Sequence, residues 1–188
     1  MDIYFIEITS EQKDKLQLKK VQHEVSRVFL KKLLSEKYGM TSVIKEENGR
    51  PFLADNPLYF SISHSENLIG IAFDKNKIGL DIEFVKPRNF DDILKYFKIS
   101  PKEPISETEF YQIWTSYEAQ YKSGTDISLQ NFTYSGFAGA ISSKNGTTPH
   151  FYKTTIKHVS DFDMCSFQEI DKNEIKFLPL SEFSIKTR

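Results

Sequence analysis

Residues 78–84 read Ile-Gly-Leu-Asp-Ile-Glu-Phe, and the strict alternation in this stretch is the pattern of a β-strand with one buried face. The face that carries glycine also carries Asp81 and Glu83, so two carboxylates point the same way, about 7 Å apart along the strand. Gly79 has no side chain and is expected to leave room for a ligand beside them. The opposite face is apolar and must lie on a core; its side chains are Leu80, Ile82 and Phe84.

A second pattern lies further along the chain, where three side chains recur every four residues. Trp114, Glu118 and Lys122 at this spacing form one stripe of a helix. If that helix lies over the acidic strand, the carboxylates of Asp81, Glu83 and Glu118 converge with one ammonium group. Carboxylates without a counter-charge would repel by roughly 3 kcal/mol per pair at about 5 Å and an effective dielectric of about 20. The pattern therefore predicts a divalent cation, and an all-oxygen donor set favours Mg²⁺ over Zn²⁺.

Each pattern alone has a simpler interpretation. Two acidic residues on one strand face are most often solvated surface charge. A glutamate four residues before a lysine on a helix is usually a solvent-exposed pair worth about 0.3 kcal/mol. Two carboxylates could also serve as the acid and base of a hydrolase. The lysine on the same helix stripe argues against a hydrolase of this kind, because a lysine beside the carboxylates is better suited to binding a phosphate group.

Helical periodicity predicts two long helices. One covers residues 11–38 and ends at Gly39, which can adopt the left-handed conformation of a helix terminus. The other begins after Ser106, which has the capping-box spacing to Glu109, and ends at Gly124. Together with the strand patterns, these helices predict an α+β fold.

Most other elements are expected to be strands. Residues 74–77 are predicted to form the turn of a hairpin that leads into strand 78–84. The other expected elements are strands at 3–8, 43–45, 59–63 and 69–73, a short helix at 91–97, a loop at 98–104 and further strands within 132–183.

Composition excludes several classes of function. Lys and Arg total 25 and Asp and Glu 26, so no global field draws the chain to nucleic acid or to a membrane surface. The 16 Phe and 9 Tyr residues favour a sheet-rich core. The single cysteine, Cys165, cannot form an internal disulfide and is expected to be a small buried hydrophobe. The N-terminus is acidic where a signal peptide is basic, so we expect a cytoplasmic protein without a membrane segment.

Four short segments carry a resemblance to one enzyme family. They are Gly49-Arg50-Pro51, Phe60-Ser61-Ile62-Ser63-His64-Ser65, Gly79-Leu80-Asp81-Ile82-Glu83, and the run from Trp114 to Gly124 with Glu118, Ala119 and Lys122 inside it. In this order and spacing, across residues 45–130, the chain resembles the 4′-phosphopantetheinyl transferases of the large single-chain type that activates peptide synthetases. Each segment alone is a weak signal, whereas the series of four is specific.

The resemblance implies a fold of two similar α+β halves related by a pseudo-two-fold axis, residues 1–86 and 87–188, with coenzyme A in the cleft between them. It implies that the phosphopantetheine arm of coenzyme A moves to a serine of an acyl or peptidyl carrier protein, with Mg²⁺, and that 3′,5′-ADP leaves. It also implies a monomer. Such a transfer needs positioning and charge neutralisation more than covalent help from the protein.

The resemblance assigns roles by position in these segments. Asp81, Glu83 and Glu118 would hold Mg²⁺ on the pyrophosphate, and Lys122 would meet the phosphate under attack. Asp81, Glu118 and Lys122 are thus the implied catalytic set. The other implied contacts to coenzyme A come from Arg50, along the nucleotide, and from Ser63 and His64, at the 3′-phosphate end.

Three positions depart from the family's usual pattern. Tyr117 stands where the family usually has a lysine, which removes a cation from the phosphate pocket, and Ser61 stands where it usually has asparagine. The loop before the Trp114 helix is short, so Glu103 is only the nearest candidate for the family's further glutamate, a proposed base. These departures leave a second hypothesis open, a homologue that binds coenzyme A or a carrier protein without turnover.

Several cationic or imidazole side chains outside the segments have weaker context. Arg27, Lys31 and Lys32 on the first helix could serve a phosphate or form a solvated helix face. His64 could hydrogen-bond backbone instead of ligand. The other histidines, expected to be structural or at the surface, are His23, His150 and His158.

Overall fold

A computed structural model describes residues 1–9, 15–41, 44–47, 50–54, 58–96, 105–124, 128–144 and 146–179. The helices in these ranges are α1 (Lys15–Tyr38), α2 (Asp91–Tyr96) and α3 (Glu107–Ser123), with a 3-10 helix at Val159–Met164. The strands are β1 (Asp2–Ile8), β2 (Ile44–Glu47), β3 (Arg50–Leu53), β4 (Tyr59–Ser65), β5 (Leu68–Asp74), β6 (Ile78–Phe84), β7 (Leu129–Tyr134), β8 (Phe137–Ser143), β9 (His150–Ile156), β10 (Gln168–Glu169) and β11 (Lys176–Leu178). The chain is therefore α+β, as predicted.

The strands form two main sheets and one small hairpin. The first sheet has the order β10-β9-β1-β5-β4, and the second has the order β11-β7-β8-β6. Strands β2 and β3 pair with each other as a separate two-stranded unit. Strand β6 is an edge strand of the second sheet and β4 is an edge strand of the first, so these two edges are free to meet.

The sheets pack face to face, with a helix on each outer side. The inner core joins side chains such as Phe5 and Phe151 of the first sheet to Leu80, Ile82 and Phe132 of the second. Helix α1 covers the other face of the first sheet through a stripe that includes Val25, Phe29 and Leu33. Helix α3 covers the outer face of the second sheet. Because β5 lies between α1 and the second sheet, all seven of its residues are buried.

The same order of elements occurs twice along the chain. In the first unit β1 is followed by α1 and by the hairpin β4–β5, and the sheet order is β1-β5-β4. In the second unit β6 is followed by α3 and by the hairpin β7–β8, and the order is β6-β8-β7. In both units the first strand pairs antiparallel with the last. The connectivity is therefore repeated.

Two sequence expectations need correction. Residues 74–77 were expected to turn a hairpin, but β5 pairs with β1 and β4 whereas β6 pairs with β8, so this turn carries the chain from one sheet to the other. The aromatic run after residue 158 is a 3-10 helix rather than a strand. Cys165 ends that helix half-buried, and its Sγ lies 3.1 Å from the carbonyl oxygen of Asp161. The expected loop at 98–104 lies outside the described residues.

The predicted limits of α3 are confirmed. The Ser106 side chain accepts from the Glu109 N–H, and the Glu109 carboxylate accepts from the Ser106 N–H, which completes the capping box. Gly124 ends the helix with a φ of 63°. No helix in the described ranges combines the length and apolar character needed to cross a membrane.

Helix α3 crosses β6 at Gly79, in almost direct backbone contact. A Cβ built on Gly79 would lie 1.9 Å from the carbonyl oxygen of Ala119 and 2.8 Å from the backbone nitrogen of Ser123. The glycine was expected to leave room for a ligand, and this is wrong: the space is filled by the helix. Its absence of a side chain instead sets how closely α3 approaches the acidic strand.

We expect Gly79→Ala to lower the free energy of unfolding by about 3 kcal/mol, because the backbone of α3 must move away from β6. Gly124→Ala is the matched control. Its added Cβ meets nothing within 4 Å, so only the left-handed backbone is penalised, by about 1 kcal/mol. Urea unfolding of both variants measures the difference. Equal losses would contradict the close-packing argument.

Candidate functional site

A cavity of about 950 Å³ lies between the two repeated units. One wall is α1, and another is the β2–β3 hairpin together with β4. The floor is formed by the start of β6 and the last turn of α3, including Asp81, Lys122 and Gly124. A volume of this order suits a sizeable organic ligand.

The cavity wall is rich in cationic side chains. Arg27 and Lys31 come from α1, Lys45 from β2, Lys77 from the turn before β6 and Lys122 from α3. The acidic groups that line the same wall are Glu46 and Asp81, so positive charge predominates. Arg27 and Glu46 approach to 3.4 Å, but both side chains are largely exposed and the pair contributes little. The cavity therefore favours an anionic ligand.

At the floor, Lys122 is paired with Asp81. Its Nζ lies 2.7 Å from Asp81 Oδ1 and 3.0 Å from the carbonyl oxygen of Leu80. Asp81 is only 5% exposed. Burial raises the pKa of the Asp81 carboxyl, and the Lys122 ammonium and the Ser63 hydroxyl oppose that rise. Asp81 Oδ2 is buried and, among the described residues, has no hydrogen-bond partner.

Three serines of β4 join the edges of the two sheets, and we call them the serine ladder: Ser61, Ser63 and Ser65. Their Oγ atoms accept hydrogen bonds from alternate backbone N–H groups of β6. An edge strand leaves such groups without a strand partner, so the hydroxyls take the place of a neighbouring strand. Two of the three also donate to carboxylates: Ser63 to Asp81 Oδ1 at 2.9 Å and Ser65 to Glu83 Oε2 at 2.8 Å.

Glu83 lies two residues along β6 on the same face as Asp81. It receives hydrogen bonds from the Ser65 hydroxyl and from the Trp114 side chain. Burial raises the pKa of the Glu83 carboxyl, and the Ser65 hydrogen bond opposes the rise. The predicted alternation of β6 is therefore confirmed, with the acidic face turned toward α3 and Leu80 and Ile82 in the core. Phe84 was expected on the same buried face, but it lies at the end of the strand and is exposed.

The Trp114–Glu118–Lys122 stripe runs along this acidic face. Trp114 meets Glu83 and Lys122 meets Asp81, so α3 runs antiparallel to β6. Glu118 lies one helical turn from each of these contacts, on the same stripe. Within the described ranges, no three His, Cys, Asp or Glu side chains lie in positions that could hold one metal ion. The Mg²⁺ set of Asp81, Glu83 and Glu118 stays a prediction.

Ser63 and His64, the predicted 3′-phosphate contacts, both line the cavity. The Ser63 hydroxyl already bonds to Asp81 and to the Ile82 N–H. His64 is in edge-to-face contact with His23, with ring centroids 5.3 Å apart. Burial lowers the pKa of the His64 imidazole, and His23 and Lys122 act in the same direction.

Two of the predicted residues lie partly or wholly outside the described residues. Arg50 begins β3, next to Pro51 and Phe52, which line the cavity, but its side chain is outside the described set. Glu103, the candidate for a further glutamate, lies outside the described residues altogether. Tyr117 is half-buried on α3, with its ring parallel to that of Tyr121 and 6.5 Å away.

The sequence argument did not assign the α1 wall of the cavity. His23, Arg27 and Lys31 follow one another at four-residue spacing, so they form one helical stripe, and all three line the cavity. This spacing was readable in the sequence. What the sequence could not show was that this stripe faces the acidic strand across an opening.

Comparison with known proteins finds similar sequences among the 4′-phosphopantetheinyl transferases but no matching family description. The descriptions of known protein families give no match to this chain. Two 4′-phosphopantetheinyl transferases of Bacillus subtilis, one of them Sfp, are each 32% identical over 99 residues, which cover 47% of this chain and 44% of the relative. The 4′-phosphopantetheinyl transferase AcpT of Salmonella typhi is 31% identical over 107 residues, which cover 51% of this chain and 54% of the relative. The chain spans about half the length of the curated relatives it matches. Over about half of its length, the chain is therefore similar to 4′-phosphopantetheinyl transferases.

Proposed function

We propose that the chain transfers the 4′-phosphopantetheine group of coenzyme A to a serine of an acyl or peptidyl carrier protein. The observation that carries the proposal is the meeting of the acidic face of β6 with Lys122 of α3 at the floor of a cation-rich cavity. Coenzyme A has a pyrophosphate and a 3′-phosphate, so it matches both the charge and the size of this cavity. The named relatives carry out the same class of reaction.

In the proposed reaction, the serine hydroxyl oxygen of the carrier attacks the phosphorus atom that bears the pantetheine arm. A P–O bond forms there and the P–O bond to the nucleotide breaks, with its electron pair leaving on the phosphate oxygen of 3′,5′-ADP. The serine proton passes to solvent or to that phosphate. The products are the modified carrier and 3′,5′-ADP. Lys122 would offset charge on the phosphate under attack, and the α1 stripe of His23, Arg27 and Lys31 would hold the nucleotide phosphates.

The donor chemistry of three acidic side chains suits Mg²⁺, although only Asp81 of the three lines the cavity and, among the described residues, no three are already placed around one ion. Asp81, Glu83 and Glu118 offer only oxygen atoms, and the buried Asp81 Oδ2 has no other partner among the described residues. When bound there, Mg²⁺ would draw charge from the phosphate oxygens. Ser63 and Trp114 would keep the two β6 carboxylates in place through the hydrogen bonds described above.

The repeated connectivity supports two halves related by a pseudo-two-fold axis, with coenzyme A between them. Strand pairing favours a boundary at the turn of residues 75–77, because β6 belongs to the second sheet. The proposed division at residue 86 would leave β6 in the first half. A monomeric state and a cytoplasmic location remain predictions.

A second function is supported by one observation. Lys122 is held by Asp81 and by the Leu80 carbonyl, and Tyr117 stands where the family usually has a further cation. A protein that binds coenzyme A without turnover would tolerate both features. The mass of an apo carrier protein after incubation with this chain, coenzyme A and Mg²⁺ separates the two functions.

We expect Glu118→Gln to lower the transfer rate by at least a hundredfold with the fold intact, because the neutral amide is a poor Mg²⁺ ligand. Asp81→Asn should have an effect of the same order. Mass spectrometry of the carrier protein gives the rate, and Glu24→Gln, on the exposed face of α1, is the control. Full wild-type turnover in excess chelator would contradict the metal assignment.

We expect Lys122→Ala to lower kcat more than it weakens coenzyme A binding, because charge on the phosphate grows in the transition state. The same change leaves Asp81 buried without its cation and should lower the free energy of unfolding by about 3 kcal/mol at pH 7. Equal effects on the dissociation constant and on kcat/KM, with kcat unchanged, would assign Lys122 to ground-state binding alone.

The stability loss in Lys122→Ala should shrink as pH falls from 7 toward 5. Burial already raises the Asp81 pKa in the folded state. Without the ammonium the folded protein binds a proton more readily than the unfolded chain, so acid favours folding. Adding Asp81→Asn should remove both the loss at pH 7 and its pH dependence.

We expect Tyr117→Lys to be as active as wild type or about fivefold faster, because a charge-assisted hydrogen bond replaces a neutral one. Tyr117→Met separates loss of the ring from gain of the charge and should be no faster than wild type. Carrier modification at saturating coenzyme A provides the rates. A wild-type protein that modifies no carrier, beside an active Tyr117→Lys variant, would favour the binding-protein function.

A further inference from the structure

We propose that the serine ladder has a second role: Ser63 and Ser65 are positioning residues that orient Asp81 and Glu83 for a divalent cation. This inference rests on the proposed function, because it assigns a role within the same site. It assigns the orientation of the two carboxylates to β4, a strand of the other sheet, rather than to β6, on which they lie.

The three rungs of the ladder differ in one respect. In each rung a serine Oγ accepts from a β6 backbone N–H, at 2.9 Å from Leu80, 3.2 Å from Ile82 and 3.0 Å from Phe84. Ser63 and Ser65 also donate the hydroxyl proton, in each case to the carboxylate of the β6 residue immediately before that N–H group. For Ser61 no bond to a carboxylate is present among the described residues. All three serines therefore join the two sheets, whereas only Ser63 and Ser65 also hold a carboxylate among the described residues.

The two hydroxyls fix one oxygen of each carboxylate. Ser63 takes Asp81 Oδ1, which Lys122 shares, and Asp81 Oδ2 is left buried and without a protein partner among the described residues. A buried carboxylate oxygen without a partner is costly unless a ligand meets it. Ser65 takes Glu83 Oε2 in the same way, two residues further along both strands. The repeated geometry turns two acidic groups toward α3 in one fixed arrangement.

Such hydrogen bonds matter because the groups that orient metal ligands also tune the affinity for the metal. Losing one typically weakens metal binding by about tenfold or more. A serine hydroxyl that is pinned by a backbone N–H has little freedom, so its donor direction is fixed. Through the serine ladder, the first sheet therefore fixes the orientation of the carboxylates at the proposed cation site.

The test compares Ser65→Ala with Ser61→Ala, since Ser65 does not line the cavity and both variants lose one backbone rung. The chain of residues 1–188 is titrated with Mn²⁺ alone, and free Mn²⁺ is followed by electron paramagnetic resonance. We expect Ser65→Ala to weaken Mn²⁺ binding about tenfold and Ser61→Ala to leave it within twofold of wild type. Urea unfolding checks that both variants stay folded, and the loss of stability should be larger for Ser65→Ala, because this variant also gives up the hydrogen bond to Glu83.

An isosteric pair keeps the test valid if an alanine variant does not fold. Ser65→Thr retains the hydroxyl and should bind Mn²⁺ like wild type, whereas Ser65→Val has the same shape without it and should bind about tenfold more weakly. In transfer assays, Ser65→Val should raise the Mg²⁺ concentration for half-maximal rate more than it lowers kcat.

Equal Mn²⁺ affinity in Ser65→Thr and Ser65→Val would overturn the inference, as would a wild type that binds no Mn²⁺ or a Ser61→Ala variant as weak as Ser65→Ala. The proposed function has a separate readout. If the variants bind Mn²⁺ with the expected relative affinities but the wild-type protein modifies no carrier protein, the transfer reaction is overturned and the role of the serines is supported.

Discussion

The contact between α3 and β6 determines the geometry of the site. At Gly79 the two backbones approach so closely that no other residue fits without displacing the helix. Two buried hydrogen bonds fix the helix on the second sheet, Ser116 to Asn131 at 2.8 Å and Ser123 to Ser142 at 2.9 Å. Because α3 is held this close to β6, Lys122 reaches Asp81 and the Trp114–Glu118–Lys122 stripe lies along the acidic face of the strand. The chemistry is thus placed on rigid elements rather than on loops.

Polar groups at this junction are arranged to be mutually satisfied. The serine hydroxyls supply acceptors for the edge of β6 and donors for two carboxylates, and Lys122 supplies the counter-charge. Buried polar groups are tolerated when such a network is complete. Among the residues that the structure describes, Asp81 Oδ2 has no hydrogen-bond partner in this network.

Much of this arrangement was readable from the sequence. The alternation in residues 78–84, the capping box at Ser106 and the stop at Gly124 follow from local rules, because each depends on neighbours along the chain. The pairing of β6 does not. A tight turn at 74–77 fits a hairpin or a crossover between sheets equally well. Which of the two forms depends on the packing of the apolar face of β6 against the first sheet.

The candidate site shows the same division. The helical stripe of α3 and its acidic partners could be predicted because their spacing is regular, whereas the role of Gly79 could not. A glycine beside acidic residues leaves space, and the sequence does not say whether a ligand or a helix fills it. The cations of α1 had regular spacing too, but their direction depends on how the first sheet turns that helix toward the cavity.

The first sheet contains a strand from late in the chain, with a consequence for how the protein folds. Strand β9 pairs parallel with β1 along its whole length, residue 2 with 150 through residue 8 with 156. The N-terminal unit therefore cannot complete its sheet until the second unit has been made and has returned to it. Pairing across so long a separation slows folding, since a large loop must close first. It also couples the units, so we expect them to unfold together rather than as independent domains.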